Sequence, residues 1–142
     1  MNYGTTTMLM SPSVTGMARL SFSPWREIAS NSLKTIMLSL DGKYVGKQYM
    51  DNTMTDSRSI PAYFVSNLAL SYEVPLRKRS FAAAQDDKVR ISFFINNLFN
   101  NMYYADGWCW KNIVEEDGAL IDGIGVYPQA PLNCMLKLSW QF

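Results

Sequence analysis

The chain has 142 residues, enough for one ordinary domain, and its 13 Lys and Arg against 12 Asp and Glu leave a formal charge of only +1. That balance excludes the broad basic surface with which nucleic-acid binders hold phosphates, so no nucleic-acid partner is expected. Histidine is absent, which removes the usual general base, the commonest metal ligand and every Ser-His or Cys-His pairing; the chain reads as no enzyme, with no cofactor or metal set.

Cys109 and Cys134 are the two thiols, without CxxC or zinc spacing. Their separation permits a disulfide, but nothing else marks a disulfide scaffold, and two unpaired thiols are expected. No window approaches the roughly 18 consecutive apolar residues of a membrane helix. The opening "MNYGTTTMLMSPS" lacks a basic segment ahead of an apolar one and does not read as a signal peptide.

Hydrophobic periodicity is almost entirely of period two, the signature of strands with two unlike faces. In "VTGMARLSFSPW", Val14, Gly16, Ala18, Leu20 and Phe22 share a face opposite Thr15, Arg19, Ser21 and Ser23, with Met17 the exception. "TIMLSLDGKYVGKQYM" sets Ile36, Leu38, Leu40 and Tyr44 against Thr35, Ser39, Asp41, Lys43 and Lys47. In "AYFVSNLALSYEV", Phe64, Leu68, Leu70, Tyr72 and Val74 oppose Asn67, Ser71 and Glu73. "KVRISFFINNLFN" places Val89, Ile91, Phe93, Ile95 and Phe99 against Arg90, Ser92, Asn96 and Asn100. In the last run, Leu132, Cys134, Leu136, Leu138, Trp140 and Phe142 alternate with Asn133, Lys137, Ser139 and Gln141. The expected fold is therefore all-β: an antiparallel up-and-down meander of about five long strands, with no helix beyond a possible turn at Ala82–Ala84.

The connections alternate. Positions 24–34 and 75–88 read as compact charged turns, whereas 49–61 and 101–131 read as long loops, the second beyond normal loop length. Gly123-Ile124-Gly125 is a lone GxG without the strand-to-helix context of a phosphate site.

Half-apolar strands suit either a soluble sandwich with its apolar face inward or a membrane barrel with that face toward lipid. Three features favour the membrane. The strands are about ten residues long, close to the ~9–11 that cross a bilayer at a tilt. Aromatics gather near strand ends at Trp25, Tyr44, Tyr49, Tyr63, Tyr72, Trp140 and Phe142. Mid-strand charges at Arg19, Asp41, Lys43 and Lys137 read as uncompensated, which a polar lumen accepts.

Four segments then become specific: "GKYVGKQYMDNT", "SIPAYFVSNLALSYEV", "FINNLFNNMYYADGW" and "VYPQAPLNCMLKLSWQF". In this order they resemble the closing strands of TonB-dependent outer-membrane receptors, and the resemblance covers the chain from about Val14 onward. It implies residues 1–142 are the C-terminal part of a twenty-two-stranded barrel domain in the outer membrane of a Gram-negative cell. The full receptor imports iron chelates, haem or cobalamin, or in some branches glycans. It contains an N-terminal plug and draws energy through TonB, which contacts the missing N-terminal part. Expected partners are outer-membrane lipid, the remaining strands and plug, and the barrel-assembly machinery, for which Trp140 and Phe142 match the recognised C-terminal signal.

On that reading the 24–34 and 75–88 turns are periplasmic and the two long loops extracellular, and Met1 is internal to a longer receptor. Five strands with two open edges are not expected to transport alone. The long loop carries the candidate ligand contacts Tyr103, Tyr104, Asp106, Trp108 and Trp110, with Glu115, Glu116, Asp117 and Asp122 as further carboxylates. The alternative expectation is a soluble ligand-binding β-barrel or sandwich.

Overall fold

The computed structural model describes residues 8–23, 35–77, 87–113, 118 and 120–141. Within them lie nine strands: β1 (Thr15–Phe22), β2 (Thr35–Val45), β3 (Gln48–Tyr49), β4 (Ser59–Ile60), β5 (Tyr63–Arg77), β6 (Asp87–Asn96), β7 (Tyr104–Ile113), β8 (Leu120–Pro128) and β9 (Asn133–Gln141). A single 3-10 turn, Asp56–Arg58, precedes β4. The expected turn at 24–34 lies outside the described residues; of the turn expected at 75–88, residues 75–77 extend β5 and 87–88 open β6, while 78–86, with the helical turn at Ala82–Ala84, lie outside the described residues.

All five expected long strands form one antiparallel sheet in the order β1-β2-β5-β6-β9, the meander the periodicity indicated. The sheet is open. The positions read as two long loops carry structure of their own: β3 pairs β4, and β7 pairs β8 in a second antiparallel hairpin. The expectation of a loop at 101–131 is corrected accordingly. Its polar and glycine-interrupted sequence hid a period-two pattern, because glycines stand where apolar partners would otherwise mark a face.

Contacts group the chain into two units. The first comprises Met1–Gly16, Lys43–Phe64 and Asn101–Ala130, the second Met17–Gly42, Val65–Asn100 and Pro131–Phe142.

In the second unit, strand register sorts side chains into two unlike faces. Residues directly opposite each other in an antiparallel pair share a face. One face consists of apolar rows: Leu68–Ile95–Cys134, Leu70–Phe93–Leu136, Tyr72–Ile91–Leu138 and Val74–Val89–Trp140. The other carries Ser71–Ser92–Lys137, Glu73–Arg90–Ser139 and Asn96–Asn133, with one apolar row, Ala69–Phe94–Met135, between them.

The polar face is internally matched. The Arg19 guanidinium donates to both Asp41 carboxylate oxygens at 2.5 and 3.0 Å, and Arg90 donates to Glu73 Oε2 at 2.5 and 3.1 Å. Lys88 lies 3.5 Å from the other Glu73 oxygen, and hydroxyl pairs join Ser21 to Ser39 and Ser71 to Ser92. The reading of Arg19 and Asp41 as uncompensated charges is thus corrected: they neutralise each other across β1 and β2, a partnership set by register and invisible within one strand.

The apolar face has nothing packed on it among the described residues. Even on the interior strands Leu70 and Phe93 are 44% and 40% exposed, while Leu136 and Leu138 on β9 reach 71%. The buried apolar side chains among the described residues are Val45, Met50, Ile60 and Val65, and none belongs to the apolar rows.

A turn at Asn97–Asn100 follows β6. Asn97 and Asn100 both take left-handed backbone angles, φ 53° and 52°, which Asn adopts more readily than most residues. The Asn97 amide donates to Asn67 Oδ1 on β5 at 3.0 Å, Leu98 N–H to the Ser66 carbonyl at 2.8 Å, and Asn100 N–H to the Asn97 carbonyl at 2.8 Å. Asn100 Oδ1 in turn accepts from Leu132 N–H, and Asn96 donates to Asn133 at 2.9 Å. The "NNLFN" segment therefore ends one strand while fixing its neighbours on both sides.

Candidate functional site

The ligand-contact candidates lie in the first unit, on and beside the β7–β8 hairpin. Its register opposes Asp106 to Tyr127, Trp108 to Gly125, Trp110 to Gly123 and Asn112 to Ile121, so these eight residues share one face. Gly107, Cys109, Lys111 and Asp122 belong to the other. A bulge at Ala105, between Tyr104 and Asp106, sets the register that brings each indole opposite a glycine.

The glycines act as seats. A Cβ at Gly125 would overlap Cε2 and Nε1 of Trp108, and one at Gly123 would overlap the same atoms of Trp110. Each indole therefore lies against glycine backbone across the hairpin while remaining about half exposed, at 50% for Trp108 and 43% for Trp110. This gives Gly123-x-Gly125 a role unrelated to phosphate: the missing side chains are the space the rings occupy. The sequence signal was present as W-x-W opposite G-x-G, but the hairpin register was needed to read it.

Asp106 accepts from the Gly107 amide at 2.7 Å, which holds its carboxylate beside the Trp pair. Tyr103 is placed differently. Its ring stacks on Tyr63 with centroids 4.6 Å apart and planes at 28°, and its carbonyl accepts from Gln129 N–H at 3.0 Å. Tyr104 starts β7 opposite Pro128 and is half-buried. The structure thus brings Asp106, Trp108 and Trp110 onto one face and assigns Tyr103 to a stacking contact at the base of the hairpin.

The other hairpin face is fastened by a charge the sequence reading did not single out. Arg58, from the 3-10 turn, is buried and bridges two carboxylates: Nη1 to Asp51 Oδ2 at 2.6 Å and Nη2 to Asp122 Oδ2 at 2.5 Å. Planar guanidinium geometry suits such two-sided contact. Cys109 Sγ lies 3.6 Å from the Met50 carbonyl, and a Cβ at Gly107 would meet Met50 Sδ, so β7 approaches the β3–β4 segment closely there.

Burial acts to raise the Asp51 carboxyl, but hydrogen bonds from Arg58 and from the Thr53 hydroxyl and amide outweigh it and leave it below its ordinary value. The same two carboxylates hold the Arg58 guanidinium more firmly protonated than usual, Asp51 contributing most.

Asp122, one of the further carboxylates of the long loop, is thus engaged by Arg58. Glu115, Glu116 and Asp117 lie outside the described residues, as does Phe142. Among the described residues no three His, Cys, Asp or Glu side chains form a cluster able to hold a metal ion. Cys109 and Cys134 are both free thiols. Trp140 is exposed on the apolar face of β9.

No protein-family model, curated protein or solved structure matches the chain.

Proposed function

We propose that this chain forms the C-terminal strands of an outer-membrane TonB-dependent receptor that takes up a scarce nutrient, with an iron chelate, haem or cobalamin as the substrate class. The observation that carries the reading is the two-faced sheet β1-β2-β5-β6-β9. Its apolar rows lie uncovered, while its opposite face carries ion pairs and paired hydroxyls with one apolar row, Ala69–Phe94–Met135, among them. Water penalises the first face and lipid penalises the second, so such a sheet is at home between a bilayer and a polar lumen. The sheet strands run from 8 to 15 residues, a range that includes the ~9–11 needed to cross hydrocarbon at a tilt. A soluble sandwich would need a second layer on the apolar rows, and none is present among the described residues.

In this reading the β7–β8 hairpin and the β3–β4 segment are extracellular, and Trp108, Trp110 and Asp106 meet the incoming nutrient. The open sheet requires further strands, because unpaired backbone groups at β1 and β9 are costly in hydrocarbon. Transport therefore belongs to the completed barrel with its plug, with energy supplied through TonB.

The test is membrane partition. Expressed with an export signal in a Gram-negative host, the chain is expected in the carbonate-resistant outer-membrane fraction or as detergent-soluble aggregate. A soluble, monomeric product that unfolds cooperatively without detergent would refute the proposal.

A further inference from the structure

Beside the Arg58 clamp lies an open cavity of about 190 Å³, lined by Ser57, Arg58, Asp122, Gly123 and Ile124, all within the first unit. Asp122 and Ile124 oppose Lys111 and Cys109 in the hairpin register, so the cavity lies on the face without the indoles. The clamp leaves hydrogen-bonding capacity over. A guanidinium has five N–H groups, and Arg58 uses one on Asp51 and one on Asp122. The other three have no acceptor among the described residues, although the side chain is only 10% exposed. Asp122 accepts through Oδ2, its Oδ1 has no donor among the described residues, and its side chain is 55% exposed. The Ser57 hydroxyl reaches Thr55 Oγ1 at 3.5 Å, the outer limit of a hydrogen bond.

Donors and an acceptor therefore border one small space, with Ile124 as an apolar wall. The turn that carries Ser57 and Arg58 is already fixed. Asp51 Oδ1 accepts from the Thr53 amide at 3.0 Å and hydroxyl at 2.5 Å, and the Ser59 hydroxyl donates to the Asp56 carbonyl at 2.8 Å. Charge then selects the class of ligand. Arg58 and Lys111 balance Asp51 and Asp122, and Lys47 pairs with Asp56 at 2.5 Å, so the surroundings carry no net charge. An anion gains the guanidinium but meets two carboxylates, and a cation meets the reverse. A neutral hydroxyl suits both, giving its hydrogen to Asp122 Oδ1 and accepting an Arg58 N–H, while a second hydroxyl beside it reaches Ser57. A cavity of about 150 Å³ accommodates benzene, so this one admits a six-membered ring, whose C–H side suits Ile124.

We propose that this cavity binds a neutral pyranose through two adjacent hydroxyls. It holds one sugar ring and is too small for a whole iron chelate, haem or cobalamin. The site is separate from the face of Trp108 and Trp110 and does not depend on the membrane reading.

The test is an NMR titration of the full-length, isotopically labelled chain with methyl β-galactopyranoside, methyl α-mannopyranoside and methyl α-glucopyranoside in turn. The solvent is dodecylphosphocholine, a detergent without sugar, or water alone if the chain folds there. At least one pyranoside is expected to give saturable shifts at the Ser57 and Ile124 amides and the Arg58 Nε–H, in the millimolar range of so small a ligand. The Trp108 and Trp110 indole signals are expected to stay in place. A parallel arm presents galactose as the headgroup of monogalactosyl diacylglycerol, which separates a lipid source from a free sugar; saturation in either arm supports the site. Ser57→Ala, which leaves both Arg58 ion pairs intact, is expected to weaken binding about 2–10-fold, the loss of one neutral hydrogen bond, and Asp122→Asn about 10-fold or more.

No saturation in either arm overturns the proposal, as do shifts confined to the indoles or undiminished affinity in both variants. Displacement of the sugar by inorganic phosphate or by acetamide at equal concentration also overturns it, by assigning the cavity to an anion or an amide.

Discussion

A side chain at Gly125 would compete directly with the Trp108 indole for the same space, and one at Gly123 with Trp110. Gly125→Ala is therefore expected to lift the ring off its seat, costing about 1–3 kcal/mol of local stability as overpacking does. The check is a changed tryptophan emission together with faster amide exchange confined to 104–128. Asn97 makes a second residue-scale case, because its φ of 53° and its buried position combine a backbone and a side-chain demand. Asn97→Ala is expected to destabilise by about 1–2 kcal/mol, and Asn97→Gly by less, since glycine accepts the left-handed region. Urea unfolding in detergent distinguishes them. At Arg58 the prediction concerns pH. The Asp51 carboxyl is depressed in the folded chain, so its stabilising effect is complete above the ordinary value of about 4 and is lost as pH falls through the lower folded value. Amide exchange near Arg58 and β8 is expected to accelerate only on such acidification, and Asp51→Asn to be already fast at neutral pH.

At the scale of elements, the decisive comparison is between the two faces of β9. Leu136 is 71% exposed, and in water replacing so exposed a residue changes stability by within about 0.5 kcal/mol. In a bilayer Leu136→Arg is expected to cost about 2–4 kcal/mol near the midplane. Folded yield in vesicles, set against Ser139→Arg on the polar face, measures the difference. The five long strands were legible because each alternates for eight or more residues, and alternation survives whichever solvent meets each face. The β7–β8 hairpin was not, because Trp108, Gly125, Trp110 and Gly123 mark a face through cross-strand complementarity instead of within-strand hydrophobicity. Arg58 stayed hidden for a related reason. Its partners Asp51 and Asp122 are 7 and 64 residues away, and only folding brings the second within reach. Of the candidate contacts, Trp108, Trp110 and Asp106 do share a face, while Tyr103 is committed to Tyr63.

For the whole molecule, the two faces of the sheet are unequal. An open five-stranded sheet presents uncovered apolar rows on one side and paired charges on the other, with four buried apolar side chains among the described residues. Hydrophobic burial is the main driving force of folding in water, and here the largest apolar surface stays only partly buried unless something apolar covers it. On the proposed membrane reading, lipid covers it without a second protein layer and leaves the polar face to a lumen. The most direct measurement is the depth of β9 in phosphatidylcholine vesicles, read from spin labels placed in turn at 136, 137, 138 and 139 in a Cys109→Ser/Cys134→Ser background. The account predicts that labels at 136 and 138 are protected by lipid and accessible to oxygen, while those at 137 and 139 are accessible to a water-soluble relaxant. Four labels equally open to the water-soluble relaxant, on a chain that remains outside the vesicles, would contradict it.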